Sequence, residues 1–439
     1  MKRTVKTTVV FLLITTLLIL GGCSKSKAVP VNPIQLDNSN LPQINIDAFR
    51  GQGRLAFVWD GLLYVLDGDK CTFTKLSDAN QVRWPKWSPD GQWLAYTGYS
   101  DDQMNDGKLL IVSTDGSKSH EVTGLPSPVN NSNGISWLPA SDVLVVITEG
   151  QGLYMVRPGE TPRKVNDNAG FLSPDGKTMA YVKTLPYDDK YPEKRSDALY
   201  VVPVEGGEPV QLYIAKEAGI HFAGWWPDHK GLLFRIAPHH SASIMSDGTG
   251  LYSLPLTGGE PRLLATSIKH PEWLSWSPDG SELLAVKGTG REIWLNKSLV
   301  VCDVKTGENI DLPQRPNIVS LDPDWSPDGR HIAYVEAVER KDIKNTEEFT
   351  AWEQTRTLWV VDADGKNARQ INEAGTGISR PLWSRDGSHI IYLKDNSIWL
   401  VNINGESPVK LVGPFPDALN SQGYYGYVSW SNILALYRQ

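Results

Sequence analysis

One five-residue motif, Trp-Ser-Pro-Asp-Gly, recurs along the chain and limits the folds that the sequence can adopt. It stands complete three times, and variant or eroded copies fill most of the remaining length. The complete copies begin at Trp87, Trp276 and Trp325, the variants at Leu172 and Trp383, and the eroded copies at Trp137, Trp226 and Trp430. Recurrence at a period of about 20–50 residues is typical of repeat architectures, in which each repeat is one supersecondary unit.

The turn chemistry within each repeat predicts β-hairpins. Pro presets φ for the second position of a turn, Asp accepts hydrogen bonds from nearby amides, and Gly adopts the left-handed geometry that follows. Around Trp87, one strand precedes the motif and an apolar strand follows over residues 93–97. Residues 109–112 form a third apolar run, which leads to Asp115-Gly116, a strong hairpin signal. Each repeat therefore holds four short strands.

Four strands per repeat predict an all-β fold, a β-propeller of four-stranded antiparallel blades. A first strand before each of the eight motif positions predicts eight blades, with seven as the alternative. Residues 55–58 read as a second strand, so the first strand of that blade has to come from the other end of the chain. Residues 427–430 fit that role, and residues 433–437 are the alternative. Strands from both termini close the ring and remove exposed sheet edges.

The motif, followed by a Leu-Ala-Tyr or Ile-Ala-Tyr strand, resembles the propeller repeat of the TolB family. It is also similar to the propellers of the prolyl oligopeptidase and dipeptidyl peptidase families. The resemblance extends over most of residues 54–439 and implies the fold, whereas such propellers serve many functions. TolB itself carries a small domain before a six-bladed propeller, and the peptidases carry an α/β-hydrolase domain. We expect neither domain here.

The N-terminal residues predict export. Lys2, Arg3 and Lys6 precede an apolar run over residues 9–20 that is typical of a secretory signal peptide. The run ends in Leu-Gly-Gly-Cys23, which resembles the lipobox of bacterial lipoproteins; the resemblance implies that Cys23 becomes the lipid-carrying N-terminus. An ordinary signal peptide and an uncleaved anchor are the alternatives. We therefore expect a signal peptide over 1–22, a lipid-anchored flexible tether over 23–53 and a propeller over 54–439, held at a bacterial membrane of the cell envelope.

Composition and motifs exclude several classes of function. The net charge of −7, with interspersed signs, offers no basic surface for nucleic acid. The sequence has no Gly-x-Ser-x-Gly, His-Glu-x-x-His or Walker A motif, so no catalytic residue, cofactor or metal site is predicted. Cys71 and Cys302 lie in well-separated repeats, and we expect free buried thiols, with a disulfide as the alternative. A monomer is expected.

The repeated side chains are assigned to structure. The motif acids suit turns, and the motif tryptophans suit packing between blades, where an indole buries much area and its N–H needs one partner. The acids are Asp90, Asp175, Asp279, Asp328 and Asp386.

Loops that vary in length are the better candidates for a site, since binding residues concentrate on variable loops of a rigid scaffold. In a propeller, the loops between second and third strands lie on the face opposite the motif hairpins, and here these loops are long. Their candidate partner-binding residues are Tyr187, Tyr191, His239, His240, Trp294 and Trp352. For His239-His240 a metal or acid–base pair is the alternative, and Asp101-Asp102 and Asp188-Asp189 are weaker candidates for Ca²⁺.

These observations predict a non-catalytic binding module at the cell envelope. Its loop face would hold an envelope protein, a peptide or a polysaccharide. The alternative is a propeller hydrolase or lyase with a site at the channel mouth, which convergent acid, base and cationic groups at that mouth would favour.

Overall fold

The computed structural model describes residues 41–77, 81–100, 107–126, 134–139, 141–148, 151–167, 169–239, 244–416 and 425–439. Within them the strands form eight antiparallel sheets, seven of four strands and one of five. The predicted eight-bladed all-β propeller is therefore confirmed. No helix in these ranges is long and apolar enough to cross a membrane.

We number the blades 1–8 in chain order and give the strands of each from the innermost outward. Blade 1 holds Leu434–Tyr437, Arg54–Trp59, Leu62–Asp67 and Thr72–Lys75; blade 2 holds Val82–Trp87, Trp93–Gly98, Lys108–Ser113 and Ser119–Glu121; blade 3 holds Ile135–Trp137, Leu144–Thr148, Gly152–Val156 and Arg163–Asn166; blade 4 holds Phe171–Leu172, Thr178–Thr184, Asp197–Pro203 and Val210–Ala215. Blade 5 holds Gly219–Trp225, Gly231–Ala237, Thr249–Pro255 and Arg262–Ser267; blade 6 holds Leu274–Trp276, Glu282–Lys287, Ser298–Asp303 and Asn309–Asp311; blade 7 holds Ile318–Trp325, His331–Val338, Thr357–Asp362 and Arg369–Gln370; blade 8 holds Ser379–Trp383, His389–Lys394, Ser397–Asn402 and Val409–Gly413, with Gln43–Ile44 added at its outer edge.

Helices in the described ranges are short. The α-helices are α1, Ile244–Asp247, and α2, Thr346–Glu353; the 3-10 turns are Asp47–Phe49, Pro192–Lys194, Pro271–Trp273, Asn372–Ala374 and Trp430–Asn432.

The motif hairpins have the structural role that was predicted for them. In blade 7, the Ser326 hydroxyl donates to Asp328 Oδ1 at 2.6 Å, and the same oxygen accepts from the Arg330 backbone N–H at 3.1 Å. Burial raises the pKa of Asp328, but hydrogen bonds from Ser326 and Arg330 outweigh it and lower the pKa to about 2. The Ser–Asp hydrogen bond recurs at 2.6–2.7 Å at Asp90, Asp175, Asp279 and Asp386.

Tryptophans at the motif position join several blades to the blade before them. The indole N–H of Trp325 donates to the Ser275 carbonyl at 3.2 Å, and that of Trp383 donates to the Asp324 carbonyl at 3.1 Å. In blade 5 this position belongs to Trp225, whose indole donates to the Phe171 carbonyl at 3.0 Å. Trp225 pairs with Leu232 across the first two strands of blade 5, just as Trp325 pairs with Ile332 in blade 7. The placement of the motif at Trp226 was therefore off by one residue.

Blade 1 is closed by both ends of the chain, and the alternative choice of strand is the correct one. Leu434–Tyr437 pairs with the strand that begins at Arg54, whereas Trp430 lies in a 3-10 turn before it. The predicted tether also extends less far than residue 53, because Gln43–Ile44 pairs with blade 8 and Phe49 is fully buried. Cys71 and Cys302 are both buried thiols, and the two are not joined in a disulfide. Cys23 lies outside the described residues.

Candidate functional site

Two long loops and one connecting segment meet on the face of the propeller that carries the links between blades. The loops follow the second strands of blades 6 and 7, and the segment is residues 425–433, which we call the strap. They enclose a groove of about 400 Å³, the loop-face groove. Its apolar lining is Trp294, Leu295, Ile343, Phe349 and Tyr425, and its charged lining is Glu292, Lys341 and Lys344.

The blade 6 loop is shaped by a glycine and a buried lysine. Gly288 has φ +133°, and a Cβ there would clash with the Asn296 carbonyl, so only glycine fits. Lys297 is 1% exposed, and its Nζ donates to the carbonyls of Thr289, Gly290 and Leu295 at 3.1, 3.0 and 2.7 Å. The ammonium thus replaces the backbone partners that these carbonyls lack, and it fixes the loop beside Trp294.

The blade 7 loop is organised by α2. Asn345 caps this helix by accepting from the Glu348 backbone N–H at 2.9 Å. Trp352, a predicted partner contact, is only 1% exposed, and its indole donates to the Val338 carbonyl at 2.6 Å. It cannot present its ring to a partner in this position. Trp352 instead supports Trp294 from below, with ring centroids 6.0 Å apart.

Trp294 lies where a partner-binding residue is expected, half-buried in the groove wall. Phe349 contacts it edge-on at 5.6 Å, so the orientation of the indole is held from one side. Lys341 and Lys344 are exposed, and within the described residues neither has an ion-pair partner. The groove therefore joins a rigid aromatic floor to positive charge that is free for a ligand.

Tyr187 and Tyr191 are exposed at 41% and 40%, but they belong to the loop of blade 4, two blades away from blade 6. Arg195 lies 5.6 Å from the Tyr187 ring centroid, and Lys194 lies 4.7 Å from that of Tyr191. Each of the two rings therefore already contacts a cation of its own loop. The structure does not bring them together with the groove.

His239 lies beside Asp197 of blade 4 and is not among the residues that line the groove. Its side chain is 13% exposed, and Nε2 lies 4.0 Å from Asp197 Oδ1, too far for a hydrogen bond. His240, Asp101 and Asp102 lie outside the described residues. Within the part of the chain that the structure describes, no group of three or more His, Cys, Asp or Glu side chains is placed to hold a metal ion.

A second cavity of about 350 Å³ lies along the central channel, and we call it the channel pocket. Innermost strands from blades 1, 2, 6, 7 and 8 contribute to it. Three of these strands carry a bulge in which a residue with φ near +50° precedes a proline. These residues are Trp84, Asp322 and Arg380, with φ of +54°, +51° and +49°. Bulges re-aim side chains and are frequent beside functional sites.

Hydrogen bonds and ion pairs connect the blades across this pocket. Glu272 Oε1 accepts from the Ser431 backbone N–H at 2.7 Å and from the Ser429 hydroxyl at 3.2 Å. Asp324 receives both terminal nitrogens of Arg438 at 2.8 Å. Burial lowers the pKa of Arg380, but Glu272, Asp324 and Asp322 outweigh it and raise that pKa, so the guanidinium is permanently charged.

The channel has convergent acids and cations, which the enzyme alternative requires, but its histidine is a weak base. His270 stacks on Tyr427 with ring centroids 3.6 Å apart. Burial, together with Lys297 and Arg235, lowers the pKa of His270 to about 3, so the imidazole stays neutral near pH 7. Sequence reasoning missed the whole pocket. The sequence feature that could have indicated this pocket is a proline two residues before a motif tryptophan, as in Asp322-Pro323-Asp324-Trp325.

Comparison with other proteins agrees on the fold. No protein-family model matches the sequence. The chain is 24% identical over 330 residues to the uncharacterized protein Atu1656 of Agrobacterium fabrum. This match covers 71% of this chain and 83% of Atu1656. It is 27% identical over 127 residues to the uncharacterized peptidase YuxL of Bacillus subtilis. That match covers 28% of this chain and 17% of YuxL, so the chain spans only a small part of that protein.

Solved structures that are similar to this chain belong to different kinds of protein. A eukaryotic initiation factor superposes with a TM-score of 0.51 at 14% identity, covering 90% of each chain. TolB of Acinetobacter baumannii superposes with a TM-score of 0.35 at 16% sequence identity, and the match covers 76% of this chain and 67% of TolB. A prolyl endopeptidase superposes with a TM-score of 0.46 at 12% identity, and the match covers 86% of this chain and 51% of the endopeptidase. The predicted likeness is confirmed to the extent that TolB proteins and prolyl peptidases are among the similar structures, whereas the propeller fold itself is shown by the eight sheets described above. Neighbours of this kind include enzymes and TolB proteins alike.

Proposed function

We propose that this protein is a non-catalytic binding module, anchored by lipid at the cell envelope, that holds a peptide segment of a partner protein in the loop-face groove. The observation that carries the proposal is the groove itself, where Trp294 and Tyr425 adjoin two lysines that have no ion-pair partner among the described residues. Aromatic side chains held by packing and set beside charge are typical of recognition surfaces.

A peptide suits this groove better than a polysaccharide does. Leu295 and Ile343 extend the aromatic floor with aliphatic surface, which offers no hydrogen bonds to sugar hydroxyls. An apolar side chain would displace water from this floor. Acidic neighbours in the same peptide would pair with Lys341 and Lys344. The proposed ligand is therefore an apolar anchor flanked by acidic residues.

The groove predicts a specific loss of binding in two variants. A fluorescein-labelled decapeptide with one central Trp between Asp and Glu residues should bind the wild type, and its anisotropy reports the affinity. Trp294→Ala should weaken binding at least about thirtyfold, the effect of losing an interface hot spot. Lys341→Glu with Lys344→Glu should weaken it at low salt and reduce its salt dependence.

Matched variants separate the groove from general effects. Lys118→Glu with Lys177→Glu makes the same charge change on exposed hairpins of the opposite face and should leave binding unchanged. Tyr187→Ala removes an exposed ring from the blade 4 loop and should also be silent. Binding that survives Trp294→Ala, or binding of labelled oligogalacturonate in place of the peptide, would refute the proposed peptide groove.

Lipid attachment is tested separately. Cells that express the full chain should incorporate a palmitate analogue into it, and Cys23→Ala should abolish the label, because only the Cys23 thiol follows the apolar run. Cys71→Ala is the matched control, since that thiol is buried in the propeller. Label retained in the Cys23 variant would exclude a lipobox.

A further inference from the structure

We propose that the channel pocket is a second binding site, specific for a small neutral saccharide. It lies away from the loop-face groove and does not depend on the function proposed for that groove. Its volume of about 350 Å³ falls at the small end of the usual range for ligand sites. A ligand of one or two sugar rings fits that space.

The decisive feature is a gap between two charged side chains. Arg380 Nε lies 3.8 Å from Glu272 Oε2, and Arg380 Nη1 lies 3.5 Å from the Glu272 carbonyl oxygen. The first distance is too long for a hydrogen bond and the second is at its limit. Among the described residues, these are the contacts of the Arg380 guanidinium, although its side chain is only 19% exposed. Most of the five donors of this guanidinium therefore remain available to a ligand in the pocket.

A hydroxyl group closes this gap. Its oxygen can accept from the guanidinium while its hydrogen points to Glu272 Oε2, so one group satisfies both side chains. Neighbouring hydroxyls of a sugar would reach Ser429 and Ser431, whose side-chain oxygens lie 3.2 Å apart at the pocket wall. Polyols carry donors and acceptors on adjacent carbons, as this arrangement requires.

Charge balance selects a neutral ligand. Lys86, Arg380 and Arg438 supply three positive charges, and Glu272, Asp322 and Asp324 supply three negative ones, in and around the pocket. Because these charges already balance, a charged group on a buried ligand would have no compensating charge of its own, which is costly away from water. A neutral sugar adds hydrogen bonds without disturbing the balance.

Trp84 supplies an apolar surface for the sugar ring. Its indole donates to Asn432 Oδ1 at 2.6 Å, which fixes the ring in the pocket wall, and Tyr99 supports it edge-on at 6.2 Å. Trp84 and Arg380 both occupy left-handed backbone at a bulge. That conformation is unfavourable for large side chains, and its repetition brings the ring and the guanidinium into the same cavity.

The test is isothermal titration of the full chain with neutral sugars. The panel is glucose, galactose, mannose, N-acetylglucosamine, maltose, lactose and trehalose, with galacturonate as an anionic probe and glycylglycine as a zwitterionic probe that carries both charges. We expect one-to-one binding of at least one neutral sugar and none of either charged probe. Arg380→Lys, which keeps the charge but loses the planar fork, should weaken binding at least tenfold.

Ser431→Ala keeps the test decisive if Arg380→Lys fails to fold, because it removes only a hydroxyl and should weaken binding severalfold. Trp294→Ala should leave sugar affinity unchanged, which separates this site from the groove. Failure of every neutral sugar, preference for galacturonate or glycylglycine, or unchanged affinity in both channel variants would overturn the proposal.

Discussion

Deletion of Leu434–Gln439 is expected to unfold the propeller, with a loss of more than about 5 kcal/mol, comparable to the whole stability of many domains. The segment supplies the innermost strand of blade 1, paired from Phe57↔Leu434 to Arg54↔Tyr437. The Ala435 carbonyl accepts from the Trp87 indole at 3.0 Å, and the Tyr437 hydroxyl donates to the Pro89 carbonyl at 2.9 Å. Without it, the ring has an open edge and an exposed core. Circular dichroism and denaturant titration report the loss.

The Arg438→Ala variant distinguishes the contribution of the strand from that of the ion pair that follows it. This variant keeps the strand but leaves the 8%-exposed carboxylate of Asp324 without its bidentate partner. Removing one partner of a buried pair typically costs about 3–5 kcal/mol, so we expect a folded protein of clearly lower stability. Removing Gln439 alone should change little. A deletion variant that still unfolds cooperatively at the wild-type midpoint would show that the ring does not need this strand.

The sequence predicts the architecture well because its information is local. Ser, Pro, Asp and Gly at fixed spacing determine a turn by their own φ preferences and short hydrogen bonds, so the hairpins follow without long-range knowledge. The same holds for the motif tryptophans, whose large side chains have to be buried between blades. The error at Trp225 and Trp226 arose where serine is replaced by a second tryptophan and the local pattern becomes ambiguous.

The candidate sites depend on positions that are distant in sequence, and these were predicted less well. Trp294 and Tyr425 are separated in the chain by the rest of blade 6 and all of blades 7 and 8, and only the strap brings them together. The burial of Trp352 follows from the helical turn of α2, which local aromatic and charged content does not predict. In the channel, Glu272 and Arg380 meet because separate blades converge on one axis. Their pairing requires the closed ring.

The pH dependence of stability should reveal the buried lysine that holds the groove. Burial lowers the pKa of Lys297 to about 8 in the folded protein, from 10.5 for a free side chain, with Glu292 and Glu339 opposing the shift. Between these values the unfolded chain binds more protons than the folded one, so rising pH favours folding. Relative to Lys297→Met, the wild type should therefore gain about 3 kcal/mol in unfolding free energy from pH 7 to pH 10.5. Urea titrations at several pH values measure this.

The Lys297→Met variant should behave differently at the two ends of this pH range. At pH 7 methionine removes the cost of a buried charge but leaves three carbonyls without a donor, so the two effects partly cancel. At pH 10.5 the wild-type amine is neutral, the cost is gone, and only the lost hydrogen bonds remain, so the substitution is most harmful there. Lys344→Met, at an exposed position of the same groove, should track the wild type at every pH. A pH-independent difference between wild type and Lys297→Met would mean that Lys297 keeps its ordinary pKa and that water reaches its ammonium group.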